Sequence, residues 1–123
     1  LNEHAAVLHY QYQDANAPAE VRSFLIDAGA QVNGYASDIT RTWVAGGHDE
    51  FAALVAAMER EQLALVDEVR EGVDYRHIHL STHRRVARVL REAGLVKMSE
   101  EAMVAEGVTK PFFPHGIGHL LGL

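Results

Sequence analysis

Two hydrophobic rhythms divide the chain. Up to Val44 the apolar residues come in short runs and alternations that suit strands; from Asp49 they recur every three or four positions, the period of a helix with one buried stripe. Residues 5–12, AAVLHYQY, read as a first strand with Val7, His9 and Gln11 on one face and Leu8, Tyr10 and Tyr12 on the other. Residues 13–20, with Asn16 and Pro18, are the loop that follows. Phe24-Leu25-Ile26 and Ile39-Thr40-Arg41-Thr42-Trp43-Val44 are rich in β-formers and flank Asn33-Gly34. Both of those residue types tolerate the positive φ of a two-residue hairpin turn, so the stretch predicts a β-hairpin.

After Gly46-Gly47 the helical spacing begins. Asp49 is the expected N-cap of a long helix over 49–71, closed by Gly72, with Phe51, Leu54, Val55, Met58, Leu65, Val66 and Val69 on its buried stripe. Asp74 caps a second helix, 75–93, closed by Gly94, with Ile78, Val86, Val89 and Leu90 inward. Ser99-Glu100-Glu101-Ala102 starts a short third helix, its acids placed where the helix dipole favours them. Helices covering one face of a sheet give a layered α/β (α+β) domain, with an antiparallel sheet, a β-hairpin and two long helices over it.

Asp27 and Asp38 interrupt the apolar pattern of the hairpin. With Asn33 and Gly34 as the central turn residues, Asp38 lies opposite Gly29 and Asp27 lies two residues along on the same face. With Val32 and Asn33 central, the two aspartates pair directly, Cβ atoms roughly 5 Å apart. Both registers put the carboxylates on one face, and a slip by one residue would separate them. Carboxylates so close repel unless a proton or a cation intervenes, so a hard or borderline divalent metal is one reading. The others are a solvated hairpin face, or pairing with Arg41 or Arg22.

Composition narrows the chemistry. The 123 residues, 48% hydrophobic, suffice for one globular domain, and no run approaches the ~18 apolar residues of a membrane span. A net charge of −6 with scattered arginines argues against a nucleic-acid surface. Cysteine is absent, so any metal is held by Asp, Glu and His, and eight histidines are a high count for this length. His79 and His83 have a zinc-compatible spacing, but Arg76, Arg84 and Arg85 would repel a cation and a polar helix face is the better reading. Lys110-Pro111-Phe112-Phe113-Pro114-His115-Gly116-Ile117-Gly118-His119 pairs glycines with histidines behind a stiff approach, as backbone does that must pass close to something while imidazoles point at it. The start at Leu1 rather than Met, and the apolar end through Leu120, Leu121 and Leu123, read as a piece of a longer protein.

Asp27, Asp38 in its DITRT context and the HGIGH segment together resemble the pita-bread metallopeptidases. Residues 2–10, the hairpin, Met98-Ser99-Glu100-Glu101-Ala102-Met103 and the final segment are similar to the bacterial prolidases within that family, so the likeness covers nearly the whole chain. The resemblance implies a pita-bread fold, with residues 1–123 as part of a C-terminal catalytic domain whose remainder lies beyond residue 123. It implies two divalent metal ions held by two aspartates, one histidine and two glutamates. Asp27, Asp38 and His119 match the first three, and the two glutamates are expected beyond Leu123 rather than at Glu100, Glu101 or Glu106. His115 and His9 match histidines that line the substrate pocket, His115 towards the proline carboxylate or the tetrahedral intermediate. A histidine that merely holds its loop, or packs on its strand, is the alternative for each.

The implied reaction is hydrolysis of the amide bond of Xaa-Pro dipeptides, with hydroxide bridging the two ions as nucleophile. Asp38 is the expected bridging ligand, Asp27 and His119 each hold one ion, and Thr40 supports the carboxylates from the same strand face. Oxygen-dominated ligation favours manganese, with cobalt or zinc able to substitute. The resemblance also implies a cytoplasmic enzyme that forms a homodimer and takes neither nucleic acid nor membrane as partner. Rival readings are an aminopeptidase P-type enzyme and a binding module that has lost its chemistry. The 123-residue piece alone is expected to be inactive and to associate with itself or with the rest of its parent.

Overall fold

A computed structural model describes every residue except Leu8, Gly122 and Leu123. The expected place of Leu8 on a strand and of Leu123 in a core therefore lies outside the described residues. The chain forms two compact units, Leu1–Val55 with the chain end from Leu120, and Ala56–His119.

The first unit opens with a 3-10 helix, Asn2–Ala6, which takes in the first two residues, Ala5 and Ala6, of the expected strand. Side-chain bonds to the backbone decide the matter. Asn2, at φ +52°, accepts from the amides of Arg22 (2.7 Å) and Ser23 (3.2 Å) and donates to the Glu20 carbonyl (2.8 Å), while Arg22 pairs with Glu3 at 3.0 Å. The segment is thus fastened to the entry of the hairpin through Asn2. His9, at φ +54°, sits in a turn, and residues 10–14 join no ladder, so the strand expected over 5–12 is not found among the described residues.

The hairpin forms as expected. Strands β1 (Ser23–Ala28) and β4 (Ile39–Val44) pair antiparallel, as do the short β2 (Gln31–Val32) and β3 (Tyr35–Ala36) beyond them. Asn33 (φ +52°) and Gly34 (φ +87°) are the turn between β2 and β3, both left-handed as the twist of the flanking strands requires. Between the two ladders the Ser37 amide donates to the Ala30 carbonyl at 2.9 Å, and the Ala30 amide to Ser37 Oγ at 3.0 Å. There the Ser37 carbonyl oxygen occupies the space of a side chain at Gly29, 1.7 Å from where a Cβ would stand.

Helix α1 (Asp49–Glu68) begins in the first unit and runs into the second. Asp49 is its first residue rather than its cap, and the helix stops three residues short of 71. Its stripe is also more open than the periodicity predicts: Leu65 is buried, while Phe51, Met58, Val66 and Val69 are exposed. Helix α2 (Tyr75–Glu92) matches its expected bounds closely, with the Asp74 carboxylate accepting from the Arg76 amide at 2.8 Å and Gly94 left-handed (φ +70°) just past its end. Ile78, Val86, Val89 and Leu90 are all buried. Ser99 caps α3 (Glu100–Ala105) through Oγ, 3.2 Å from the Ala102 amide.

The core of the second unit is Val86, Ala87 and Leu90 against Met103, ringed by Val96, Met98, Val104, Val108 and Phe113. Arg85 fastens α1 to α2 through ion pairs with Glu61 and Glu68, and Ser81 Oγ donates to Glu68 at 3.1 Å. Arg85 draws the Glu68 carboxyl below its ordinary range, with help from Ser81. The architecture is mixed α/β, with antiparallel hairpin ladders and two long helices. Among the described residues no helix is long and apolar enough to cross a membrane.

Candidate metal centre

The first group of candidate residues is set by strand register. Asp27, on β1, pairs with Thr40 on β4, and Asp38 directly precedes β4 at the position opposite Gly29. Asn33-Gly34 is therefore the central turn, the first of the two registers considered. Asp27, Thr40 and Asp38 share the face that Ser23, Leu25, Thr42 and Val44 continue toward the other end of the ladder. That other end is packed, with Ser23 buried and Leu25, Thr42 and Val44 half-buried, while the aspartates lie at the exposed end.

Diagonal neighbours across an antiparallel pair have roughly 7–8 Å between them. A carboxylate reaches roughly 2 Å past its Cβ and a metal–oxygen bond adds roughly 2.1 Å, so side chains at that spacing can share one ion or hold two neighbouring ions. Among the described residues the Asp27 carboxylate has no hydrogen-bond or ion-pair partner. Arg22 is engaged by Glu3, and the Arg41 guanidinium donates to the Thr40 carbonyl at 2.8 Å. A hard, acceptor-only donor set on one strand face fits a divalent cation.

His9 is exposed in the turn after the 3-10 helix, not on a strand beside the hairpin. His115 and His119 belong to the second unit, both exposed on the glycine-bearing segment that follows Phe113. The Phe113 ring lies against two imidazoles of α2, with centroids 5.7 Å from His79 and 5.3 Å from His83, which are 4.8 Å apart. His83 Nδ1 is 2.9 Å from Oγ1 of the buried Thr109. Burial pushes the His83 imidazole below its ordinary range, and the neighbouring His79 and Lys110 add to the effect. The polar helix face expected for His79 and His83 is half-buried: they pack, because the chain after α3 folds back onto them.

One turn N-terminal to His79, the Tyr75 hydroxyl donates to the Gly118 carbonyl. Tyr75, His79 and His83 are spaced i, i+4, i+8 and lie along one stripe of α2. That spacing is legible in the sequence, and it is the signal by which Tyr75 would have been found. Within either unit, among the described residues, no three His, Asp or Glu side chains gather to hold a metal ion.

The model of metallopeptidase family M24 matches residues 1–123. The Xaa-Pro dipeptidases of Photorhabdus laumondii, Cronobacter sakazakii and Klebsiella pneumoniae are each 56% identical over 124 aligned residues, covering 100% of this chain. The chain spans 28% of the length of each of those relatives. With the family model matched from end to end, the chain belongs to metallopeptidase family M24, and its hairpin and helices are part of the pita-bread fold.

Proposed function

We propose that the protein containing this chain hydrolyses Xaa-Pro dipeptides at a pair of divalent cations, with Asp27, Asp38 and His119 among the ligands and the remaining carboxylates supplied from outside residues 1–123. The observation that carries the reading is the register of the hairpin, which puts Asp27 and Asp38 on one exposed face with Thr40 directly across from Asp27. The names and the 56% identity of the relatives support the substrate class. Bound divalent ions supply Lewis acidity and a nucleophile that is competent near neutral pH.

The chain's own residues do the rest. Asp27 and Asp38 present anionic oxygens and no donors, which attracts a cation. The close approach of the Ser37 carbonyl to Gly29 fixes where Asp38 leads into β4. Thr40 offers a hydroxyl on the same face, able to donate to a carboxylate and hold its orientation. His119 contributes the single imidazole, His115 directs a ring N–H group at the substrate's proline carboxylate or at the oxyanion that forms at the scissile carbonyl, and His9 lines the substrate pocket. This oxygen-rich set favours manganese over zinc or cobalt. The enzyme acts in the cytoplasm as a homodimer.

Asp38→Asn in the full-length protein tests the reading, because it removes one charge at constant volume. The expected result is loss of Xaa-Pro dipeptide hydrolysis and weaker manganese binding with the unfolding midpoint of the metal-free protein little changed. Near-normal turnover by the manganese-loaded variant would overturn it, and a wild type that cleaves only longer Xaa-Pro peptides would move the assignment to an aminopeptidase.

A further inference from the structure

We propose that Tyr75 is a positioning residue for His119, holding the Gly118 carbonyl so that the next residue's imidazole is presented for ligation; the proposal rests on the reading of His119 as a metal ligand. The segment it acts on needs such a tether. From Phe113 to Leu121 the chain has no helix or strand, and Gly116 and Gly118 leave its backbone wide conformational freedom. Backbone freedom beside a ligand weakens ligation, because ordering that backbone on binding costs entropy.

Helix α2 supplies the restraint as a rail of three contacts. His83 meets Thr109, Phe113 rests against His79 and His83, and Tyr75 takes the Gly118 carbonyl, so the segment is laid back along one stripe of α2 towards its N-terminus. The first two contacts fix the approach to His115. The hydroxyl of Tyr75 holds the backbone immediately before His119. Tyr75 stands at the first residue of α2, where Asp74 caps the helix, so its own backbone is held. The Tyr75 side chain is 54% exposed, and removing its hydroxyl therefore opens no cavity.

The test uses the full-length protein with Tyr75→Phe, His119→Ala and the double variant, and reads manganese affinity by calorimetric titration beside urea unfolding of the metal-free forms. Tyr75→Phe is expected to weaken manganese binding about threefold to tenfold, the factor that one ordinary hydrogen bond supplies, without moving the metal-free unfolding midpoint. In the His119→Ala background the same change is expected to have no further effect on affinity, because the group it positions is gone. Unchanged affinity in Tyr75→Phe, alongside weaker binding in His119→Ala, would overturn the positioning role and leave the ligand assignment standing. Equal weakening by Tyr75→Phe in both backgrounds would overturn it too, since the effect would not pass through His119. Unchanged affinity in His119→Ala would sink the ligand assignment itself, and the positioning role with it.

Discussion

Gly29→Ala is the sharpest probe of how the hairpin sets its two aspartates. Gly29 is not in the left-handed region, so the substitution meets no backbone conformational penalty, only a steric one. A Cβ there would stand 1.7 Å from the Ser37 carbonyl oxygen and 2.8 Å from its carbon, and real Cβ contacts essentially never fall under 3.0 Å. The oxygen must retreat by about 1.3 Å, and because it is backbone it takes the peptide with it. Two hydrogen bonds hold that peptide's neighbourhood, Ser37 amide to Ala30 carbonyl at 2.9 Å and Ala30 amide to Ser37 Oγ at 3.0 Å. Losing both costs about 1–3 kcal/mol at roughly 0.5–1.5 each, and the displacement begins one residue before Asp38.

The expected outcome, in the metal-free full-length protein, is a stability loss of about 1–3 kcal/mol by urea unfolding, with faster amide exchange at Ala30 and Ser37. Manganese affinity should fall as well, because Asp38 moves while Asp27, paired in the ladder with Thr40, does not. A variant within about 0.5 kcal/mol of wild type and with unchanged exchange at Ser37 would refute the argument. It would mean that the approach of Ser37 to Gly29 constrains nothing.

Two further perturbations test the second unit. Arg85→Ala removes the shortest ion pairs of the Glu61 and Glu68 carboxylates, which are 17% and 26% exposed, leaving them Arg88 and Ser81, and should destabilise the protein by about 1.5–3 kcal/mol at neutral pH, measured by urea unfolding. Arg85 lowers the Glu68 carboxyl below its reference value of 4.5, so this stability is present above about pH 4.5 and is lost as the pH falls through the depressed value; the difference between wild type and variant should shrink there, and a constant difference would contradict the assignment. His83 is lowered from 6.5 by burial, so below pH 6.5 the unfolded chain takes up a proton that the folded one refuses, and stability falls until the depressed value is passed. His83→Gln should remove that loss, and an unaltered pH profile of unfolding below pH 6.5 would count against the buried imidazole.

Much of the site was written into local sequence. Asn33-Gly34 specified the turn because few residue pairs accept two positive φ values in succession, and with the turn placed, strand parity put Asp27 and Asp38 on one face. Asp74 and Ser99 marked their helices because a side-chain oxygen there answers amides that no helix can satisfy internally. The family resemblance of the hairpin and of HGIGH was equally local, and the match of the M24 model over residues 1–123 agrees with it.

What periodicity could not decide was everything that depends on a partner. Residues 5–12 alternate like a strand, but a strand exists only when another pairs with it, and here Asn2 instead spends its side chain on the start of β1 and leaves His9 in a turn. The stripe of α1 has the right period, yet burial belongs to whatever packs on it, and among its expected positions Leu65 is buried, Leu54 and Val55 are half-buried and the rest are exposed. His79 and His83 looked like a polar face until the chain after α3 returned to lay Phe113 and Thr109 on them. Tyr75 and Gly118 are 43 residues apart, and no local rule couples them. Side-chain spacing along one helix is fixed by its own geometry, whereas which chain segment lies against that helix is decided only when the tertiary structure closes.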